Sequence, residues 1–341
     1  MVYDVLIIGA GPAGATLARL MGATHTVLIV DRLSCSDAAH GKCCGGLLST
    51  DAQETLAAQG LTLPASVLCD PQIFAVDTWD LASGDHLRYP RHYLNLHRYA
   101  FDRWLRSLIP SNVTQLEGRV THIARCEDGF CITVGPHTYR GRLLIGADGA
   151  GSLVLRTFFK DHRTPRYMAI QQVFAAADEA PAYRCLFHHP STPVCGWSIT
   201  KDGQLTLGGA FPIRHSRQHY ARFRAAFEQR MGLTLPTPLR TEACVVYRPR
   251  HLHHLCLGAQ DVFLVGEAAG FISPSSMEGI SFALRSAEAL AQALKTADPQ
   301  AAYRKATRDL MLKVLGKSLK CPFMYVPWLR RRVMRSGLTA L

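Results

Sequence analysis

Three glycine-rich segments, far apart in the chain, contain the residue types that hold a nucleotide cofactor. They are residues 9–14 (Gly-Ala-Gly-Pro-Ala-Gly), 146–149 (Gly-Ala-Asp-Gly) and 266–270 (Gly-Glu-Ala-Ala-Gly). Glycine lets a backbone approach phosphate oxygens closely, and a carboxylate at a strand end accepts hydrogen bonds from ribose hydroxyls. Either of the last two segments alone could equally be a turn between a strand and a helix. Their joint occurrence with the first predicts one composite site.

The first segment has the surroundings that a phosphate-binding turn needs. The apolar run at residues 5–8 suits a buried parallel strand, and residues 15–21 suit a packed helix. Gly9 permits the tight turn, Gly11 leaves room for a pyrophosphate, and Gly14 lets the helix pack closely on the strand. The sequence therefore predicts a Rossmann unit whose helix N-terminus faces the phosphates.

The strand ends after the first turn carry further candidate contacts. A second apolar strand at residues 26–30 ends in Asp31, which is placed to accept hydrogen bonds from an adenosine ribose. Apolar runs at residues 142–145 and 261–265 precede the other two glycine-rich segments. This arrangement resembles the glutathione-reductase-like flavoproteins of the p-hydroxybenzoate hydroxylase type. The resemblance implies bound FAD and gives Glu267 the contact with its ribityl chain, although that class usually has Asp at this position.

The stretch after the third segment predicts a helix directed at the flavin. Residues 281–295 have a strongly helical pattern, and Pro274 and Gly279 precede them. Free backbone N–H groups near Gly279 and Ile280 would stabilise the negative charge of reduced flavin. The alternative is that Pro274 and Gly279 only punctuate a loop before an ordinary helix.

Between these segments the chain alternates apolar and polar residues with turn signals, which is typical of antiparallel strands. The predicted fold class is α/β: a glutathione-reductase-like FAD-binding Rossmann domain with an antiparallel β-sheet substrate cap and a C-terminal helical segment. The predicted domains are a discontinuous FAD domain of residues 1–70, 94–166 and 245–300, a cap of residues 71–93 and 167–244, and a C-terminal segment of residues 301–341.

The most specific local sequence is Gly-Lys-Cys-Cys-Gly-Gly-Leu-Leu at residues 41–48. It resembles the Lys-x-Cys-Gly-Gly segment of the geranylgeranyl reductase family. The order of further segments, including residues 169–172, 197–199 and 334–337, resembles the CbrA branch of that family across nearly the whole chain.

This resemblance implies that Cys44 lies beside the isoalloxazine ring and that Gly45 and Gly46 let the backbone approach it. We therefore assign these three residues to catalysis and count Lys42 among the cofactor contacts. Hydride addition to a double bond leaves a carbon that needs a proton, and Cys44 or a bound water would supply it. Cys43 stands where the family has a different residue.

Two more residues are assigned by position. Arg98 opens a helical stretch, and the same flavoprotein class implies a contact with the FAD diphosphate; a plain surface arginine is the alternative. The substrate motif Tyr-x-Trp-x-Phe-Pro of many geranylgeranyl reductases corresponds to residues 195–200, which keep only Trp197. Trp197 has two equal interpretations: it borders an apolar substrate pocket, or it packs in the hydrophobic core.

The predicted cofactor contacts combine the glycine segments, the strand ends and the helix starts. They are Gly9, Gly11, Pro12, Ala13, Gly14, Asp31, Arg32, Lys42, Cys44, Gly45, Arg98, Asp148, Gly149, Gly266, Glu267, Pro274, Gly279 and Ile280.

The resemblance implies an FAD-dependent oxidoreductase that reduces a carbon–carbon double bond of an apolar, isoprenoid-like substrate by hydride transfer from flavin N5. NADPH or another reductant would be the transient electron donor. One alternative is an FAD-dependent monooxygenase, because the Gly-Ala-Asp-Gly segment also occurs in hydroxylases. A third hypothesis is a membrane-docked, redox-sensing flavoprotein.

Composition favours an intracellular enzyme. The chain has 341 residues, of which 48% are hydrophobic, so it can bury a large core. We expect a cytoplasmic location, because no apolar stretch has the length of a membrane span and no basic region precedes the first strand. Eleven scattered cysteines fit a reducing compartment, and the lack of a Cys-x-x-Cys pair argues against a metal site.

Positive charge is concentrated near the C-terminus. Residues 304–335 contain ten Lys or Arg and one acid, Asp309, and so carry +9 of the total +12. Leucines and aromatic residues are interspersed, so this segment could rest on an anionic membrane, which would place the protein at the inner face. A solvated helix packed on the domain is an equal alternative, and nucleic acid is not expected because no nucleic-acid-binding motif accompanies the charge.

Overall fold

The computed structural model describes residues 1–32, 42–175 and 183–337. Its strands are β1 (Val2–Ile8), β2 (Val27–Asp31), β3 (Leu47–Leu48), β4 (Ile73–Asp80), β5 (His86–Asn95), β6 (Thr114–Glu117), β7 (Val120–Cys126), β8 (Gly129–Val134), β9 (His137–Gly146), β10 (Arg166–Phe174), β11 (Tyr183–Phe187), β12 (Cys195–Lys201), β13 (Gln204–Phe211), β14 (Arg240–Tyr247), β15 (Gly258–Ala259) and β16 (Val262–Leu264). Its helices are α1 (Pro12–Met21), α2 (Thr50–Ala58), α3 (Arg98–Ser107), α4 (Leu153–Phe158), α5 (Ser216–Met231), α6 (Ile280–Ala293), α7 (Pro299–Ala306), α8 (Arg308–Tyr325) and α9 (Pro327–Arg335).

The first sheet has the strand order β15-β16-β9-β1-β2-β6, and the hairpin β7–β8 joins it through β9. Its central strands run parallel, with Val5 of β1 opposite Val27 of β2 and Leu143 of β9. Both faces of β1 are covered, which explains why residues 5–8 form a continuous apolar run instead of an alternating one. The carboxyl ends of β1, β9 and β16 meet at one edge, and each leads into a glycine-rich segment.

Helices and hairpin cover opposite faces of this sheet. One face packs against α1, α3 and α6, with Leu17, Phe101 and Leu284 fully buried between them. The other face packs against the β7–β8 hairpin and α4, through Phe130 and Val154. The predicted helix at residues 281–295 corresponds to α6, which begins one residue earlier and ends at Ala293.

The second sheet has the strand order β14-β10-β13-β12-β11-β4-β5-β3. Helix α5 covers one face, where Phe223 and Phe227 pack with Phe211. All neighbouring strands are antiparallel except β4 and β11, which run parallel with Val76 opposite Tyr183. Because the chain passes through the first sheet between β4 and β11, no hairpin fixes their relative direction.

The C-terminal helices connect the two sheets. Tyr303 of α7 donates a hydrogen bond to the carbonyl of Leu264 in the first sheet, at 2.9 Å. Arg330 of α9 forms a fully buried ion pair with Asp80 at the end of β4 in the second sheet. The boundaries predicted for three domains stay a prediction. The short strand β3 lies in the range expected for the FAD domain, but it joins the second sheet by pairing with the end of β5.

Candidate active site

The three glycine-rich segments converge at one place. A Cβ atom on Gly9 would lie 2.6 Å from the Ala147 carbonyl oxygen, and one on Gly266 would lie 2.9 Å from the Ala13 Cβ atom. A Cβ atom on Gly149 would lie 4.0 Å from a Glu267 carboxylate oxygen. Residues separated by more than a hundred positions therefore form one surface, as their joint occurrence in the sequence predicts.

The three glycines of the first segment differ in whether the protein's own packing requires glycine. Gly9 has φ of +100°, and a Cβ atom on Gly14 would lie 1.9 Å from the Gly9 carbonyl oxygen, so packing explains both. A Cβ atom on Gly11 would have no neighbour within 4 Å, and φ at Gly11 is an ordinary −70°. The fold alone does not require glycine there. The open space over Gly11, at the start of α1, fits the close approach of a pyrophosphate.

Asp31 lies at the expected strand end and reaches this turn. Its Oδ2 atom accepts a hydrogen bond from the Ala10 amide at 2.5 Å and lies 3.1 Å from Nη2 of Arg106. Arg106 also donates through Nε to the Ala10 carbonyl at 2.9 Å. The sequence indicates Arg106 only through its place on the buried side of α3, which does not predict this contact. Arg32, the next residue after Asp31, is exposed.

The second segment contains an orphaned polar atom. Asp148 Oδ2 accepts a hydrogen bond from the Leu153 amide at 2.5 Å, but Oδ1 is buried without a partner among the described residues. Burial raises the pKa of this carboxyl group above its ordinary value. A buried oxygen without a donor is costly, so a ligand hydroxyl or amide at this position would satisfy it. The residues present therefore fit a nucleotide cofactor.

Glu267, the acid of the third segment, is buried and has two protein partners. One oxygen accepts the Tyr247 amide at 2.9 Å, and the other contacts the Lys42 ammonium group. A carboxylate offers about four lone-pair positions, so a sugar hydroxyl can share it. The assignment of Glu267 to the ribityl chain stays a prediction.

The loop before α6 holds the other predicted cofactor contacts. The Pro274 carbonyl accepts a hydrogen bond from Arg248 Nε at 3.0 Å. Glu278 accepts the Ser281 amide at 2.8 Å and thereby caps the first turn of α6. The first amides of a helix have no acceptor within the helix, so the expectation that Gly279 and Ile280 offer theirs to a ligand stays a prediction.

Cys44 lies in the loop before β3, at the junction of the two sheets, and neighbouring atoms crowd the two glycines that follow it. Its Sγ atom accepts the Gly46 amide at 3.4 Å. Gly46 has φ of +64°, and a Cβ atom there would lie 2.4 Å from the Leu96 carbonyl oxygen. A Cβ atom on Gly45 would lie 2.9 Å from Ile199 Cδ1. The Leu96 backbone therefore requires glycine at position 46, whereas only the end of the flexible Ile199 side chain limits the space at Gly45. Gly41, the first residue of the segment, lies outside the described residues.

Lys201, at the end of β12 in the second sheet, contacts the loop that carries Cys44. Its ammonium group donates hydrogen bonds to the carbonyls of Gly46 at 3.2 Å and Leu96 at 2.8 Å, and to the side-chain oxygen of Asn95. Burial lowers the pKa of Lys201 to about 8, although the nearby thiols of Cys69 and Cys44 act in the opposite direction. The sequence does not predict a role for this lysine, because its position at the end of β12 does not indicate which residues its side chain reaches.

Trp197 lies on the same side of the site. Its indole N–H donates to Gln171 Oε1 at 3.2 Å. The Gln171 amide in turn donates to the Cys44 carbonyl at 3.3 Å and to the Glu242 carboxylate at 2.7 Å. Trp197 is thus linked to Cys44 through Gln171, and it packs next to Gly45.

Arg98 lies beside Cys44, while Arg106 contacts the glycine-rich turn at residues 9–14. Arg98 donates through Nε to Asp102 at 3.0 Å. Burial opposes its charge, but Asp102 and the Cys44 thiol outweigh that effect and raise the pKa of Arg98. Two cations, Arg98 and Lys201, therefore lie close to Cys44.

A cavity of about 50 Å³ lies between the loop before α6 and the cap. Its wall combines aromatic rings, small polar groups and one methionine. The lining residues are Val76, Tyr89, Arg91, Tyr93, Tyr183, Cys185, Cys195, Ser275, Ser276 and Met324. Burial raises the pKa of Tyr93 to about 12, so its hydroxyl stays neutral near neutral pH. Trp197 is not part of this wall.

One further cluster has residue types that bind metals, although the lack of a Cys-x-x-Cys pair argues against a metal site. The ligand atoms of Cys69, His97 and Asp202 lie within 4.8 Å of one another. His97 Nε2 lies 2.7 Å from Asp202 Oδ2, and Asp202 Oδ1 accepts the Asp70 amide at 2.8 Å. Hydrogen bonds among protein groups account for this arrangement, which ties the cap turn to the start of β4.

The chain resembles known proteins over nearly its whole length. Protein CbrA of Escherichia coli O9:H4 (strain HS) is 40% identical, with 98% of this chain and 94% of that protein covered. Protein CbrA of Shigella dysenteriae serotype 1 (strain Sd197) is also 40% identical, with coverages of 98% and 97%. No known family model matches the sequence.

Solved structures show the same fold. A geranylgeranyl bacteriochlorophyll reductase-like protein from Thermoplasma acidophilum aligns with a TM-score of 0.78 at 17% identity, over 100% of this chain and 92% of its own. PqsL, a probable FAD-dependent monooxygenase from Pseudomonas aeruginosa, aligns with a TM-score of 0.70 at 20% identity, over 99% of both chains. The predicted fold class is therefore confirmed. In the described residues, no helix has the length and apolar character needed to cross a membrane.

Proposed function

Because the chain belongs to the CbrA family and has the fold of flavin-dependent enzymes, we propose that it is an FAD-dependent oxidoreductase that reduces a carbon–carbon double bond. The proposed substrate is apolar and isoprenoid-like. The residues that would hold FAD are those of the three glycine-rich segments, with Asp31 and Arg106 at the adenosine side and the loop of Cys44 at the ring side.

The observation that carries this proposal is the position of Cys44. It lies where the cofactor segments meet the cap, next to the cations Arg98 and Lys201. A side chain at Gly46 would collide with the Leu96 backbone, so this glycine lets the loop that carries Cys44 lie close to Leu96. A thiol fixed at this junction can present a proton to a substrate held by the cap.

Saturation of a double bond requires a hydride and a proton. Bound FAD, once reduced by NADPH or another donor, supplies hydride equivalents. The protein must supply the proton, orient the substrate and exclude water. We assign the proton to Cys44 Sγ, which would be reprotonated from solvent after each turnover, and the orientation to Trp197 and Gln171.

The cavity beside Ser275 and Ser276 is the proposed entry to the substrate site. Tyr89, Tyr93 and Tyr183 give it aromatic walls, against which an unsaturated hydrocarbon can pack. At about 50 Å³ it is small, so a substrate must displace side chains to fill it. Typical ligand pockets have roughly 300–1,000 Å³.

Anaerobic reduction is the first test. The visible spectrum of the purified protein would be recorded before and after addition of NADPH, and geranylgeranyl lipid would then be added to the reduced protein. Reoxidation of the flavin, with a product heavier by one hydrogen molecule per double bond, is the expected result. Flavin that is reduced yet never reoxidised by any unsaturated lipid would contradict the proposal.

A monooxygenase is the second candidate, and the polar groups of the cavity favour it. Arg91, Ser275 and Ser276 line the same wall as the tyrosines and could bind a polar aromatic substrate. Admitting oxygen to the reduced protein distinguishes the two. Oxygen uptake with incorporation of an oxygen atom into product would indicate hydroxylation, whereas double-bond reduction proceeds without oxygen.

A further inference from the structure

An apolar stripe runs along the outer face of the C-terminal helices. Leu312, Leu319 and Phe323 of α8 are 52%, 69% and 49% exposed, and Trp328 at the start of α9 is 60% exposed. Spacings of seven and four residues place the three α8 side chains on one side of the helix. We call these four residues the outer stripe.

The opposite side of α8 already packs on the protein. Val314, Cys321 and Met324 are buried, and Cys321 Sγ lies 3.4 Å from the Pro274 carbonyl oxygen. The Tyr325 hydroxyl donates a hydrogen bond to the Ser275 carbonyl. The helix is therefore anchored through its inner face, and the outer stripe has no role in holding it there.

Some cations of this segment are used internally. Lys313 pairs with Asp51, and Arg330 pairs with Asp80. Arg331 and Arg335 both lie against Asp85. These contacts fix the orientation of α8 and α9 on the rest of the protein.

Other cations border the outer stripe without a carboxylate partner among the described residues. Arg308, Lys320 and Arg332 are exposed, and the Arg332 guanidinium lies 5.5 Å from the Trp328 ring centroid. Asp309 is the single acid between residues 304 and 335. The stripe is thus an apolar surface with a strongly positive border.

We propose that the outer stripe and these cations rest on the surface of a bilayer that contains anionic lipid. Leucine, phenylalanine and tryptophan would enter the boundary between headgroups and acyl chains, while lysine and arginine would contact lipid phosphates. Charge complementarity selects this occupant, because a hydrophobic protein partner alone would gain nothing from the uncompensated cations. Nucleic acid would use the cations but leave four apolar side chains in water.

Docking in this orientation would also bring the cavity close to the membrane. Met324 lies on the inner face of α8 and lines the cavity, while Phe323 next to it lies on the outer face. A lipid-like substrate could then pass from the bilayer around a single helix. This consequence rests on the proposed function, whereas membrane binding itself does not.

The test uses the full-length protein with vesicles of phosphatidylcholine, either pure or containing phosphatidylglycerol. We expect co-sedimentation with the anionic vesicles only, weakened by salt, and a blue shift of Trp328 emission that is absent in Trp328→Phe. Leu319→Glu with Phe323→Glu should abolish binding. Lys320→Gln and Arg332→Gln should each weaken it roughly fivefold, as expected for one cation near an anionic surface.

Phe74→Glu is the matched control, because Phe74 is 70% exposed on β4 and lies outside the outer stripe. It should bind vesicles like the parent protein. The proposal would be overturned if Phe74→Glu lost as much vesicle binding as the double variant, or if the Leu319→Glu and Phe323→Glu variant still bound vesicles. A dimer in size-exclusion chromatography that the same double variant dissociates, without vesicle binding, would assign the stripe to a second copy instead. Vesicle binding is measured without substrate turnover, so a negative result would refute the membrane proposal and leave the proposed reductase activity untouched.

Discussion

The Glu267 carboxylate is shared between the Lys42 ammonium group and the Tyr247 amide. This contact ties the segment that carries Cys44 to the third glycine-rich segment and to the end of β14. Burial opposes the charge of Lys42, but Glu267 outweighs that effect and raises the pKa of the lysine above its ordinary value. Lys42 therefore stays charged at neutral pH, and the position of the loop that carries Cys44 depends on its pairing with Glu267.

Glu267→Gln tests this relationship. Glutamine keeps the acceptor for the Tyr247 amide but leaves the Lys42 charge without its partner, so we expect a loss of about 1–3 kcal/mol in the free energy of unfolding. We also expect less bound flavin per protein, measured from the visible spectrum. Glu228→Gln breaks an ion pair with Arg224 on α5 and should keep the full flavin content. Unchanged flavin content in Glu267→Gln would remove Glu267 from the cofactor site.

Gly11→Ala and Gly14→Ala should separate cofactor binding from folding. A methyl group on Gly11 meets no protein atom within 4 Å, so stability should change by no more than about 0.5 kcal/mol while FAD affinity falls. A methyl group on Gly14 would lie 1.9 Å from the Gly9 carbonyl oxygen, so that variant should lose stability as well. The checks are chemical unfolding of the flavin-free protein and FAD titration. Full FAD affinity in Gly11→Ala would show that the pyrophosphate lies elsewhere.

Cys44→Ala tests the proposed proton donor. We expect retained fold, retained flavin and unchanged reduction by the electron donor, but product formation slower by about a hundredfold or more, since a general acid contributes about 10²–10⁴. Single-turnover reoxidation of reduced protein by the unsaturated lipid measures that step. Cys43→Ala is the control, because the Cys43 thiol is buried. A hydrogen bond with Cys244, and then burial, raises the pKa of this thiol well above the ordinary value. Equal rates in the two variants would assign the proton to water.

The sequence predicted those parts of the site that local rules determine. Gly9 and Gly14 could be recognised because a tight turn and close helix packing leave no space for a side chain. Asp31 could be recognised because it ends an apolar strand at a fixed distance from the turn. The parallel direction of β11 against β4 was not predictable, since alternation of apolar residues carries no information on strand direction.

Residues that reach the site from distant elements were missed for a different reason. Its position at the start of α3 favours Arg98 as the cofactor contact, but Arg106, two turns further on the same helix, contacts the glycine-rich turn at residues 9–14. Lys201 and Gln171 reach Cys44 from the second sheet. Their placement depends on how the two sheets pack against each other, and no local stretch of sequence carries that information.

The buried pair of Arg330 and Asp80 should be a main stabilising contact of the C-terminal helices. Their side chains are 2% and 6% exposed, and Arg330 also donates to the Met324 carbonyl at 2.8 Å. Removing one partner of a buried pair typically costs about 3–5 kcal/mol, so Asp80→Asn should lower the free energy of unfolding by that amount. Arg331→Met breaks a half-exposed contact with Asp85 and should cost no more than about 1 kcal/mol. If chemical unfolding showed similar losses of unfolding free energy in the two variants, the burial of the Arg330–Asp80 pair would be contradicted.

The histidines near α4 should make the protein less stable in mild acid. Burial, and then the neighbouring His253, His251 and His162, lowers the pKa of His254 from 6.5 to about 4. Between these values the unfolded chain binds a proton at this position and the folded protein does not, so stability should fall as the pH drops through this window. His254→Gln removes the titrating group and should flatten that part of the profile. Chemical unfolding above and below the window measures the difference, and an equally steep fall in His254→Gln would locate the acid sensitivity in other groups.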